Sequence, residues 1–258
     1  MKSLNTFADH APKYEWVRDF YERGDEFFQN NSLGPMQISM FKRFLSDAQL
    51  AEKNKVTEFM QLTKRIGWES DSAWGLILIQ LVYGNPQIRW YIDNMPVNER
   101  MPRTYFEDLL SETGLSEKDA KSITKAFGRL CDLPLGTALN FGAVEKKGRQ
   151  ITSLTRYKAS LRDDRVILYA LYRFAEACDG YYQFTLSRLL DESIVSNGIC
   201  PSRLFGLDSD AVKQIVYGLS AGYPDYLYAT FTHDSEKIQL RENKTSQDVL
   251  GLFVGQEQ

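Results

Sequence analysis

Residues 36–48 carry apolar side chains at Met40, Phe41, Phe44, Leu45 and Ala48, one face of a helix by spacing. The residues on either side of that helix turn it into a constraint on the fold. Gly34-Pro35 punctuates the chain before it, and proline suits the first helical position. The opposite face offers Gln37, Ser39, Lys42, Arg43 and Ser46. Beyond Gln49-Leu50-Ala51 come a basic tip, Lys53-Asn54-Lys55, and the strand-like run Val56-Thr57-Glu58-Phe59. A helix followed by a hairpin with a basic tip is the order of a winged helix-turn-helix. There the last helix enters a major groove and the hairpin touches phosphate.

Similar texture returns further on. A helix is predicted from Glu117 to Leu130, opened by Ser116 and with Ala120, Ile123, Ala126, Phe127 and Leu130 on its buried face. After it, 139–144 reads as a strand, 145–149 as a basic turn and 151–154 as the return strand. A third set runs from Asp164: a helix over 166–178, short helices after Thr185 and Pro201, a helix capped by Asp208, then strands over 226–231 and 237–240 joined by an acidic tip at 233–236. Between the first two sets, 72–83 is apolar nearly all round and marks a central helix, with Ser70 or Asp71 as its cap. Residues 14–28 read as one helix weakened by Gly24, residues 1–12 as a loose polar start, and 96–102, with two prolines, as a linker. The expected fold is mainly α with short β-hairpins (α+β), in tandem winged-helix-like units over 1–98, 99–162 and 163–258, a structural repeat in order and texture.

At 258 residues, with 43% hydrophobic and 25% charged residues, the chain can bury a real core. No apolar run approaches the ~18 residues that span a membrane. The first ten residues lack an apolar signal core, so a cytoplasmic location is expected. The formal net charge of −3 conceals a polarity. Residues 36–67 hold six Lys/Arg against three Asp/Glu, 142–165 seven against three, and 176–258 six against twelve. A local basic stripe binds phosphate even on an acidic chain.

Little in the sequence points to catalysis. His10 and His233 are too few and too far apart for a histidine metal site. Cys131, Cys178 and Cys200 are odd in number and widely spaced, as reduced structural thiols are. Neither a glycine-rich phosphate loop nor a Gly-x-Ser-x-Gly elbow is present. No cofactor and no metal are expected.

Four segments carry a resemblance: SLGPMQISMFKRFLSDAQL from Ser32, SAWGLILIQLVYGNPQIRWYI from Ser72, ILYALYRFAEACDGYYQFTLSRLL from Ile167 and PSRLFGLDSDAVKQIVYGLS from Pro201. Together they resemble a bacterial accessory domain found beside or fused to phosphoadenosine-phosphosulfate (PAPS)-reductase-like proteins, in neighbourhoods of DNA phosphorothioation and phage defence. Its Leu-Gly motif and Leu-x-x-Ala-x-Leu helix end are matched by Leu33-Gly34 and by Leu45, Ala48 and Leu50. The resemblance implies an accessory subunit or a detached domain, with a PAPS-reductase-like protein as partner, and brings no catalytic residues with it.

Three functions are compatible with these patterns. The first is a non-enzymatic protein that binds double-stranded DNA through Gln37, Ser39, Lys42 and Arg43, with Lys53 and Lys55 as one wing and Lys146, Lys147 and Arg149 as a second. The second is a protein–protein adaptor whose acidic last third docks a partner. The third is an enzyme with an unrecognised site. Geometry separates the first two: the basic residues on one surface favour DNA, and basic residues on different sides favour the adaptor.

Overall fold

The computed structural model describes residues 4–190, 197–232 and 235–254. The protein is a mainly helical α+β chain with small antiparallel sheets. It divides into two compact units, Met1–Ser160 and Leu161–Gln258.

The first unit opens on an ordered segment where a loose one was expected. Thr6 and Phe7 are fully buried. The Thr6 amide donates to Gln87 Oε1 at 2.9 Å, and its hydroxyl reaches Asn85 Oδ1 at 3.0 Å. Helices α1 (Tyr14–Arg23) and α2 (Glu26–Gln29) replace the single expected helix. The break falls at Gly24, whose φ of 58° is open to glycine and costly for other residues. Helix α3 (Pro35–Asp47) begins at the predicted proline, and Gln37 accepts from the Gly34 amide at 3.1 Å.

Strands β1 (Ala51–Glu52) and β2 (Lys55–Val56) form a two-residue hairpin around Lys53 and Asn54, both at positive φ. The expected strand over Val56–Phe59 stops there. Thr57 instead caps α4 (Glu58–Arg65) by accepting from the Met60 amide at 3.1 Å. A four-residue run cannot tell a strand from a helix start, and the threonine hydroxyl decided it.

Helix α5 (Asp71–Gly84), capped by Ser70, is buried over ten consecutive residues, Ala73 to Val82. Helix α6 (Pro86–Asn94) comes next. The expected linker then becomes β3 (Arg100–Pro102), an edge strand that tolerates proline. Helix α7 (Arg103–Glu112) begins directly after it. Helix α8 (Glu117–Cys131) is capped by Ser116 as expected. The short α9 (Pro134–Thr137) leads to β4 (Gly142–Lys147) and β5 (Gln150–Arg156). The strands order as β3-β5-β4, so the first strand pairs with the last.

Arg156 is buried on β5, and its Nη1 donates to the carbonyls of Ile92 at 3.1 Å and Met95 at 3.2 Å, closing the end of α6. Arg156→Met would leave buried carbonyls unpaired. It is expected to cost about 2–3 kcal/mol, read as a lower urea midpoint with unchanged slope.

The second unit repeats this order. Helix α10 (Arg165–Ala177) precedes β6 (Gln183–Phe184), a strand the sequence reading missed. Helices α11 (Leu186–Leu190), α12 (Pro201–Phe205) and α13 (Ser209–Gly222) come next, with Thr185 and Asp208 accepting from the Arg188 and Ala211 amides as expected. Strands β7 (Leu227–Thr232) and β8 (Ser235–Leu240) complete a sheet of order β6-β8-β7, and α14 (Ser246–Gly251) ends the described chain. His233 and Asp234, half of the expected acidic tip, lie outside the described residues, as does Asp191, the expected end of the helix after Thr185.

Candidate nucleic-acid interface

Helix α8 is built with two faces. Ala120, Ile123, Phe127 and Leu130 are buried to within 1% of full cover, so the helix is fixed by its apolar side. Tyr91 pins it further: its hydroxyl accepts from Gln87 Nε2 at 2.6 Å and donates to the Ile123 carbonyl at 2.8 Å, and burial pushes the phenol well above its ordinary range. The N-terminal segment adds more ties. Asn5 donates to Asp119 at 2.7 Å, Ser122 donates to the Ala8 carbonyl, and Arg129 donates to the Asp9 carbonyl at 2.7 Å.

The other face carries Lys121, Lys125 and Arg129 at i, i+4 and i+8, one above the other. Opposite stands the β4–β5 hairpin, with Lys146 and Lys147 on the strand and Gly148-Arg149 as its two-residue turn. A register shift between Glu145 and Lys146 leaves Thr152 as the extra residue of a bulge, which sharpens the twist of the hairpin. Gly128 lets the two walls approach. A Cβ there would lie 3.2 Å from Ile151 Cδ1 and 3.4 Å from Val144 Cγ2.

Between the walls lies a cleft of about 520 Å³. Seven cationic side chains line it, Arg103, Lys121, Lys125, Arg129, Lys146, Lys147 and Arg149, against the single carboxylate of Asp132. Two of the seven are neutralised on their own helices: Arg103 pairs with Glu107 at 2.6 Å and Lys121 pairs with Glu117. Among the described residues, no carboxylate pairs Lys125, Arg129, Lys146, Lys147 or Arg149. Five uncompensated cations facing one hollow form a positive field that low-dielectric walls concentrate.

The structure therefore groups Lys146, Lys147 and Arg149 with α8 and does not place the remaining predicted residues on this cleft. Gln37 is engaged in closing the start of α3. Arg43 reaches Asp47 at 3.8 Å, and Lys42 lies 5.8 Å from the Phe28 ring centroid. Ser39 is exposed on α3, and Lys53 and Lys55 are exposed on the first hairpin. Lys121, Lys125, Arg129 and Arg103 went unread in the sequence. The signal was the i, i+4, i+8 spacing of cations opposite an apolar face, hidden because residues 117–132 hold four Lys/Arg and three Asp/Glu and look balanced.

Elsewhere, none of the three cysteines is in a disulfide, and burial raises the Cys131 thiol far above its ordinary range, so it stays protonated. Among the described residues no group of three or more His, Cys, Asp or Glu is placed to hold a metal ion, and no helix is long and apolar enough to cross a membrane.

The class of protein that the fold defines is an α+β chain holding, among the described residues, two three-stranded sheets, each with its first strand paired to its last. No family model and no curated protein matches the chain. Its fold is similar to the magnesium-ion-bound crystal structure of SspB, with a TM-score of 0.69 at 14% identity over 100% of this chain and 90% of that one.

Proposed function

We propose that the chain is a non-enzymatic DNA-binding accessory protein of a bacterial DNA-modification or defence system, and that it holds DNA in the cleft between α8 and the β4–β5 hairpin. The observation that carries the reading is the set of five cations on that cleft that have no carboxylate partner among the described residues. The order α6, β3, α7, α8, β4, β5, with β3 on β5, supports the reading as well, since it matches the helix, strand and wing order of a winged helix. The system assignment rests on the sequence resemblance to domains associated with PAPS-reductase-like proteins and on the likeness in fold to SspB. A partner of that reductase-like kind would dock on the second unit, where Tyr217 on α13 and Tyr228 on β7 are 66% and 47% exposed. Exposed tyrosines of this sort are enriched where proteins meet.

The test is binding to a labelled 20-base-pair duplex across a salt series. Five phosphate contacts at about 0.9 released counterions each give a log–log slope near −4.5. Affinity should then fall roughly 500-fold between 50 and 200 mM salt. No binding at 50 mM salt would remove DNA as a direct ligand and leave the adaptor reading, to be tested by pull-down with the reductase-like partner.

A further inference from the structure

Resting on the DNA-binding reading above, we infer that the α8/β4–β5 cleft grips the backbone of duplex DNA by its phosphates and reads no bases. Three features of the cleft lead there.

First, the cations form two rows on different supports. Lys125 and Arg129 stand about 6 Å apart along α8, four residues at 1.5 Å each, one turn beyond Lys121, whose charge Glu117 offsets. Lys146, Lys147 and Arg149 stand on a hairpin facing them. Two rows of point charges match a ligand that presents two lines of phosphate, and duplex DNA carries twice the axial charge density of one strand.

Second, none of the residues lining the cleft is aromatic. Proteins that hold single strands stack unpaired bases on aromatic rings, and this cleft offers no ring to stack on. Its floor is Gly128 and the side chain of Ile151.

Third, the end of α8 that would read bases is closed. A recognition helix points its N-terminal residues at base edges. The first turn of α8 holds Glu117 and Asp119, which repel phosphate. Asp119 is held below the ordinary carboxylate range by hydrogen bonds from Ser116 and then Asn5, so it stays ionised. The segment carrying Asn5 and Ala8 is tied to the same turns of the helix. The cleft instead runs along α8 from Lys121 to Arg129, toward the end where the helix dipole disfavours an anion and side-chain cations must hold it alone. Of the uncharged polar side chains there, Thr124 is buried and donates to the Ala120 carbonyl at 2.9 Å, which leaves Gln150 as the one such group exposed to a base edge.

The experiment compares wild-type full chain on AT-rich, GC-rich and mixed 20-base-pair duplexes, and on the single strand of the mixed sequence, at one salt concentration. Gln150→Ala and Tyr105→Ala, the latter removing an exposed aromatic from the helix that carries Arg103, are run beside it. The expected result is that the duplexes agree within about threefold, the single strand binds at least tenfold more weakly, Gln150→Ala leaves the ratios among the duplexes unchanged, and Tyr105→Ala binds as wild type. A single strand bound as tightly as duplex, a loss of binding in Tyr105→Ala, or one duplex preferred tenfold or more would overturn the inference while leaving DNA binding intact. Absence of binding to every nucleic acid would bring down both.

Discussion

Lys125→Ala, Lys147→Ala and Arg149→Ala, combined in one chain, are expected to weaken duplex binding roughly 10²-fold at 0.15 M salt. They should also make the salt slope shallower by about 2.7, at 0.9 per lost phosphate contact. All three side chains are exposed on the cleft, and among the described residues none pairs with a carboxylate. Removing them leaves no buried group unsatisfied, so thermal stability should move by no more than about 0.5 kcal/mol. The comparison that matters is with Lys42→Ala/Arg43→Ala on α3. That pair removes the same kind of charge from the same unit, but from side chains held by Phe28 and Asp47. It should change affinity by less than about threefold, the size of a long-range charge effect at a Debye length near 8 Å. Equal losses from the two sets would mean that DNA responds to overall charge and not to the cleft. A larger loss from the α3 pair would return the binding surface to α3.

The difference between those two sets shows where the sequence was legible. Elements held by local chemistry could be read in place: the all-round apolar α5, the proline opening α3, and the caps at Ser70, Ser116 and Asp208. Elements fixed by distant partners could not. Strand β3 exists because Arg100 to Pro102 pair with Ser153 to Thr155, some fifty residues on, while Pro96 and Pro102 imitate a linker. The opening segment looked loose because it is polar, yet Thr6 finds Asn85 and Gln87 and is buried by them. The candidate site divides the same way. Lys146, Lys147 and Arg149 show themselves as a basic turn. The three cations of α8 vanish into a helix of balanced charge until the helix is given a buried side, which leaves them together on one face at the cleft. Arg103 has no local signal at all, since its place at the cleft depends on β3 carrying α7 alongside β5.

Phe41→Ala is expected to be the most damaging single change in the first unit. Phe41 is fully buried, with ring centroids 5.4 Å from Phe27, 5.9 Å from Trp16, 6.1 Å from Phe44 and 6.3 Å from Phe20. Truncation removes the hub of that cluster and leaves a cavity that four rigid rings cannot easily close. The cost is about 3–5 kcal/mol, at the upper end if each edge-to-face contact adds its share beyond area. For a unit of this size that lowers the melting temperature by roughly 8–16 °C, read by Trp fluorescence on the whole chain, with Trp16 as a direct reporter of the cluster. The same helix then supplies its own control. Lys42→Ala/Arg43→Ala loses one partly buried i,i+4 pair and should cost no more than about 1 kcal/mol. A large effect on stability at Phe41 beside a small one at Lys42 and Arg43 would define α3 as the staple that joins the aromatic segment of α1 and α2 to the unit. A melting point unmoved by Phe41→Ala would show instead that the cluster is a surface feature, and would reopen α3 as a binding element.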